Sequence, residues 1–498
     1  MNALLRTKSI DALIAAAEQP DKRLRKSLGP WSLTAFGVGA VIGSGIFILT
    51  GTAAAGETLH FKSVLHATVL DLLMHGSSAL STIGRPGAGP GISLSFLLTA
   101  MACSFAALCY AELASMIPIA GSAYTYAYAT LGEIFAWIIG WDLILEYAVS
   151  NMAVAAGFSA YFNDILESVF GWHLPKIIAG PMIVDGQFTG SWFNISALLI
   201  LLVLSYILVK GVRESASTNN VMVVVKLAAI LIFVIGAARA VRTENWHPFL
   251  PNGFSGVLTG AAIVFFTYIG FDSVSTAAEE CRHPQRDLPI GIIATLIVCA
   301  VLYISVALVL TGIANYKTLN NAAPVANALK ALGFTRIRQW VGVGAIVGMI
   351  SSLLVFQYGQ ARVWFAMSRD GLLPKAFSKV HPVYKTPHVS TWIAGLAVGI
   401  PAGIWDIGTF ADLSNIGTLF AFIVVSAGVL VLRKQQPDRP RSFRVPGCPW
   451  FPLLSIGMCL VLMMALPLET WIRFFVWLAI GLAIYGTFGR KNSELQSG

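Results

Sequence analysis

Apolar residues along this chain gather into runs of about 20, parted by short polar stretches, from residue 31 nearly to the C terminus. Twelve runs can be bounded, near 31–55, 91–116, 133–162, 191–210, 219–241, 255–279, 288–312, 339–366, 388–406, 409–432, 450–467 and 470–488. A helix needs about that length to cross a hydrocarbon core about 30 Å thick. Lipid offers the backbone no hydrogen bonds, so each run is predicted to be a transmembrane helix. One insert breaks the rhythm. Between the first two runs, residues 57–89 contain FKSVLHATVLDLLMHG, an apolar stretch too short and too polar to cross. It is predicted to be an outer amphipathic helix covering a vestibule.

Residues 1–30 mix Arg6, Lys8, Lys22, Arg23, Arg25 and Lys26 with Leu4, Leu5, Ile10, Leu13 and Ile14 near helical spacing. A short amphipathic helix lying on the cytoplasmic surface is expected there. No cleavable signal peptide is expected in so mixed and charged a stretch. With the N terminus inside, cytoplasmic segments hold about 22 of the 33 Lys and Arg residues and external segments about 9. The positive-inside rule then puts both termini in the cytoplasm, and the multi-pass chain is expected in the cell's inner (plasma) membrane.

Composition agrees. The 498 residues are 56% hydrophobic and only 11% charged, with a mean hydropathy of +0.74, too little charge to cover a soluble protein of this length. Membrane topology explains the net charge of +9 better than a nucleic-acid partner, and none is expected. The six cysteines show no CxxC spacing and read as small apolar residues. His60, His66, Asp71 and His75 in the long connection match no metal-ligand spacing, so neither metal nor cofactor is expected. No nucleophile–base pair supports an enzyme.

Candidate chemistry starts in the first run. Trp31 to Ala55 carries no charge and five glycines, with Gly43-Ser44-Gly45 at its middle. Each glycine weakens a helix by roughly 0.8–1 kcal/mol relative to alanine, so an unwound turn is predicted at that triplet. Gly37 to Gly43 has GxGxxxG spacing with no strand before it, which is not a dinucleotide-binding loop. Gly37 and Gly39 suit close helix packing instead. The sixth run offers a matching break in FFTYIGFDSVS (265–275), where Gly270 precedes Asp272. A carboxylate in an apolar run is a functional hypothesis by default.

The two breaks stand five runs apart, as an inverted repeat of 31–241 and 255–432 would require, with runs at 450–488 added and a cytoplasmic tail at 489–498. A half-helix N-terminus carries about half a positive charge and free N–H groups that can receive a carboxylate. The carbonyls ending the opposing half-helix can receive an ammonium. A molecule carrying both groups is an amino acid. Phe266, Thr267 and Ile269 would shape the pocket for its side chain.

Lys226, in NNVMVVVKLAAILIFVIG, either snorkels to the membrane surface or points inward. An inward amine could carry a proton and could hold the run 1 carbonyls, in the place that a sodium ion takes in other transporters. Glu146, in WDLILEYAVS, is the acidic candidate for the same relay, with Asp142 one turn away. Glu112, in YAELASMIP, is expected to organise the cytoplasmic end.

Five stretches carry a resemblance: GVGAVIGSGIFILTG (37–51), YAELASMIPIAGSAYTYAYATLGE (110–133), WIIGWDLILEY (137–147), FFTYIGFDSVSTAAEECRHPQRDLPIGI (265–292) and YGQARVWFAMSRDGLLP (358–374). Together they resemble the amino acid–polyamine–organocation superfamily, in its cationic amino acid transporter branch, over roughly residues 25–490. The resemblance implies an all-α polytopic membrane protein of LeuT type, a 5+5 inverted repeat with discontinuous helices 1 and 6 and twelve transmembrane helices. It implies that Ile42, Gly43, Ser44 and Gly45, with Ile46, meet the substrate carboxylate. Phe266, Ile269 and Asp272 fall on the family's span 6 contacts, and Lys226 falls where bacterial members carry a lysine in place of a sodium site. Glu146 resembles the family's acidic position in span 3, and the run from Gly121 to Tyr128 its cytoplasmic gate. The 57–89 insert departs from the usual short connection.

The expectation is a secondary active transporter that takes up an amino acid with a proton, H+ being the coupling ion. Small neutral (alanine-like) and cationic (arginine or lysine) substrates both remain. An obligate exchanger, or an amino-acid sensor without net transport, is the rival. The expected partners are the amino acid and the lipid bilayer, and the external insert leaves room for an accessory membrane subunit.

Overall fold

The computed structural model describes residues 6–11, 14, 28–57, 63–75, 85–119, 122–184, 187–210, 216–384 and 386–493. Each predicted apolar run coincides with a helix. The first is a bent pair, α1 (Pro30–Val41) and α2 (Ser44–Ala55), whose axes differ by 47°. Then follow α3 (Ile92–Met116), the short α4 (Ser122–Thr130), α5 (Glu133–Ile165), α6 (Ile195–Lys210), α7 (Ala216–Ala238) and α8 (Gly253–Val264). The chain ends with α9 (Pro284–Ile313), α10 (Thr335–Arg369), α11 (His388–Ile404), α12 (Ile407–Gln435), α13 (Trp450–Met464) and α14 (Leu468–Ile484). Eight of the described helices are long and apolar enough to cross a membrane, and the bent pair makes a ninth. α6, α11 and α13 are apolar but shorter.

Apolar side chains face outward as well as inward: Ile297 and Val301 of α9 are exposed while Thr295, Cys299 and Tyr303 of the same helix are buried. That inside-out pattern suits helices whose solvent is lipid, because burial of an apolar face gives no advantage there and small or polar residues form the interfaces. α5 packs along α10 and α12, and α9 along α3 and α1, so the broken first helix is enclosed by long continuous ones.

The end of the bundle that carries the N terminus, expected to be the inner end, is stapled by polar contacts. Glu112 of α3 accepts two bonds from Arg433 of α12, at 2.9 and 2.6 Å, and one from the Val445 amide at 2.7 Å. This is the organising place that the sequence suggested for it. The N-terminal segment differs from expectation. Residues 12–13 and 15–27 lie outside the described residues, but Arg6 to Asp11 dock onto protein rather than membrane. The Lys8 amide donates to the Tyr128 carbonyl, its amine lies 3.2 Å from Asp370, and Ile10 is buried. Gly121, at the head of the gate-like run, is outside the described residues.

The insert also differs. Its helix, Val69–His75, sits on the junction of α13 and α14, where the Val69 amide bonds Leu466 and the Leu468 amide bonds Ala67. Thr68 caps this helix, its hydroxyl accepting from the Asp71 amide and donating to the Asp71 carboxylate, and His66 faces Glu469 at 3.6 Å. His60 is outside the described residues. Nearer the second helix, buried Arg85 ties Glu57 (2.7 Å) to Asp412 of α12 (2.9 Å).

Candidate substrate and coupling site

The first break falls at Ile42-Gly43, so only the first residue of the predicted triplet lies in it and Ser44 and Gly45 are already helical. Ile42 is extended, and the Gly43 amide turns back to the Val41 carbonyl at 3.0 Å instead of reaching Gly39. A helix C-terminus leaves four carbonyls without intrahelical partners; in lipid each would cost several kcal/mol. Side chains of three other helices take all four. Lys226 of α7 donates from Nζ to the carbonyls of Gly39 (2.6 Å) and Ile42 (2.9 Å). Ser352 of α10 lies 3.1 Å from the Ala40 carbonyl, and the Tyr303 hydroxyl of α9 lies 3.1 Å from that of Val41.

Lys226 is therefore not snorkelling. It is 0% exposed, its ammonium set at the negative end of α1. Insertion scales put a lysine at mid-membrane at about 2.5–3.5 kcal/mol unfavourable. Two hydrogen bonds from a charged donor, at about 1.5–3 kcal/mol each, offset a cost of that size. Beyond the break, Ser44, Gly45 and Ile46 open α2 with no capping side chain, so their first-turn amides stand at its positive end. The buried Ser44 hydroxyl has no partner. Gly45 abuts the second break so closely that a Cβ would lie 2.8 Å from the Thr267 side chain.

The second break is of another kind. α8 ends at Val264, Phe265–Tyr268 tighten into a 3₁₀ turn, Ile269 is extended, and Gly270 takes φ +114°. Few L-residues adopt that conformation. A second 3₁₀ stretch, Phe271–Glu280, follows. The turn is mostly capped from within: Thr267 donates to the Val264 carbonyl at 2.6 Å, and the Ile269 amide to that of Phe266 at 3.3 Å. The Tyr303 hydroxyl also lies 2.9 Å from the Thr267 carbonyl, so its single proton is shared between the carbonyls of the two breaks. One phenol thus touches both breaks. Phe266, Thr267, Ile269 and Asp272 are all buried beside them, and Asp272 Oδ1 has no partner.

Glu146 is buried in α5 next to Thr418 of α12, in electrostatic range of Asp272 and Asp142. Among the described residues, Lys226 bonds the first break while Glu146 interacts with Asp272 after the second. A cavity of about 540 Å³ at the end of the bundle away from the N terminus, lined among others by Ile48, Thr52, Gly157, Asn163 and Glu57, leads toward α2. No described residue of the insert helix lines it, so that helix does not cover the vestibule. Sequence reasoning missed Tyr303 and Ser352. Their only local signal is a polar group inside an apolar run.

The family model for amino acid permeases matches residues 28–485. The chain belongs to this family. It is 45% identical over 495 residues to the methylthioribose transporter of Bacillus subtilis, covering 99% of this chain and all of that protein. It is equally 45% identical to the branched-chain amino acid permease BcaP of the same organism, over 99% of each. Cationic amino acid transporter 9 of Arabidopsis thaliana, chloroplastic, is 35% identical over 88% of this chain and 73% of its own length. The permease is thus a multi-pass membrane protein of the amino acid–polyamine–organocation superfamily, a transporter rather than an enzyme, with the helical fold of that superfamily. Its matched region holds both breaks and Lys226.

Proposed function

We propose that the permease takes up a neutral amino acid together with a proton by alternating access. The observation that carries this reading is Lys226 on the Gly39 and Ile42 carbonyls. A fixed ammonium fills a site built for a cation, which removes the need for sodium and leaves the proton as the coupling ion. The open amides of Ser44, Gly45 and Ile46 suit the substrate carboxylate, and the spare lone pairs of the Phe266 to Ile269 carbonyls suit its amine. The likeness to a branched-chain permease supports an aliphatic side chain against Phe266 and Ile269. The two breaks, five helices apart, support the inverted repeat of 31–241 and 255–432, followed by 450–488. The excess of basic residues on inner loops supports a plasma-membrane location with both termini cytoplasmic.

A cationic substrate is the second reading, favoured by Asp272, Glu146 and Asp142, which have no basic partner among the described residues. The deciding experiment is uptake into proteoliposomes of leucine, alanine, arginine and methylthioribose, each with and without an inward proton gradient. Gradient-dependent accumulation of leucine or alanine is expected. Arginine accumulation alone would select the second reading. Methylthioribose accumulation alone would remove the amino acid from both. Movement only against preloaded substrate would make the permease an exchanger, and binding without movement a sensor.

A further inference from the structure

The proton-coupled reading leaves one buried carboxyl without a task. Asp142, Glu146 and Ser150 stand four residues apart on α5, one stripe along one face, and all three are buried. The stripe runs against α12. Ser150 and Ser414 share a hydrogen bond of 2.8 Å, Thr418 adjoins Glu146, and Asp142 fills the space that Gly417 leaves by having no side chain. A Cβ on Gly417 would lie 2.7 Å from Asp142 Oδ1. Neither oxygen of Asp142 has a hydrogen-bond partner. Other buried acids contrast with it: Glu112 holds Arg433, and Asp412 holds Arg85.

The titratable groups around this stripe are Glu146 and Tyr147 on α5, Asp272 after the second break, Tyr110 on α3 and Tyr126 on α4. None is basic. Glu146 is in electrostatic range of both Asp142 and Asp272, and neighbouring carboxyls out of water with no cation among the described residues are not all ionised, so the stripe can store a proton. Asp142 is the member nearest Glu133, and hence nearest the inner end.

We propose that Asp142 is a second proton-carrying carboxyl of the transport cycle, receiving the proton from Glu146 and releasing it toward the inner end. In that step the O–H bond of Glu146 breaks and one forms on the Asp142 carboxylate. Glu146, now the anion, is reprotonated from the side of Asp272. The inference rests on proton-coupled uptake, and the test separates the two.

The experiment compares wild type, Asp142→Asn, Asp142→Glu and Gly417→Ala in proteoliposomes, by gradient-driven accumulation and by exchange against internal substrate. Asp142→Asn is expected to lose accumulation at least tenfold while exchange stays within threefold. Asp142→Glu should restore accumulation with a displaced pH profile, and Gly417→Ala, which crowds the carboxyl, should slow accumulation more than exchange. Accumulation by Asp142→Asn at the wild-type level overturns the proposal. So does equal loss of both activities in Asp142→Asn and Asp142→Glu, which marks a structural residue. If Asp142→Asn does not fold, Asp142→Glu decides: accumulation with a displaced pH profile supports the proposal, an unmoved profile overturns it. Wild type that ignores the proton gradient would sink the coupled reading itself, and a sodium requirement would turn the stripe into a cation site.

Discussion

The two helix breaks differ in who satisfies them. At Ile42-Gly43, the four freed carbonyls of α1 go to Lys226, Ser352 and Tyr303, side chains of α7, α10 and α9. At Ile269-Gly270, the chain turns through two 3₁₀ stretches and bonds largely to itself, with Thr267 and Ser273 as internal caps. The first break is a tertiary junction and the second a local turn. A movement of α1 must therefore exchange partners on three helices. The second break keeps its own bonds, and it meets the first through Tyr303, through the close approach of Gly45 to Thr267 and through Gly270 against Ala40.

That contrast can be broken most severely at Lys226. Lys226→Ala removes the partner of two carbonyls at once, and gradient-driven uptake in proteoliposomes should vanish while some substrate binding persists. Normal accumulation by this variant would take lysine out of the mechanism. Ser352→Ala comes next. It leaves the Ala40 carbonyl buried without its partner, at a cost of about 1–3 kcal/mol, read as a lower melting temperature and slower uptake. An unchanged melting temperature would show that the Ser352 contact is not needed.

Gly270→Ala sharpens the other side of the comparison. An L-residue at φ +114° is strained by roughly 1–2 kcal/mol, and its Cβ would meet Ala40 at 3.1 Å. Stability should fall by about that much. A loss of proton dependence together with it would show that the second break is not the self-contained one. Tyr303→Phe is the mildest, because Val41 also accepts from Gly43. Removing one hydroxyl, worth about 1 kcal/mol, should slow uptake about fivefold, and no slowing would mean that the breaks move independently.

Gly43 and Gly270 marked the breaks, and Asp272, Glu146 and Lys226 stood out, because each violates the apolar rule of its run. Tyr303 and Ser352 violate it too mildly, since a hydroxyl in a membrane helix commonly bonds its own preceding turn, as Thr311 does with Ala307. Nothing local tells such a hydroxyl from one that reaches another helix. Lys226 shows the same limit: its spacing allowed snorkelling or burial, and only the position of α1 beside α7 selected burial. For Glu146, the chain order allowed a partnership with Lys226, whereas packing set it against α12 and Asp272.

By itself, then, the chain's pattern determined the helices, the two places where helix could not continue, and the costly groups at mid-membrane. Those are local properties, set by backbone hydrogen bonding in lipid and by glycine. Tertiary structure alone decided which side chains close the open carbonyls, that Arg6 to Asp11 dock on protein, and that the insert helix covers α13 and α14 rather than the cavity. These depend on the depth and rotation of neighbouring helices. Lipid is as apolar as most of their surfaces, so hydropathy leaves both undetermined.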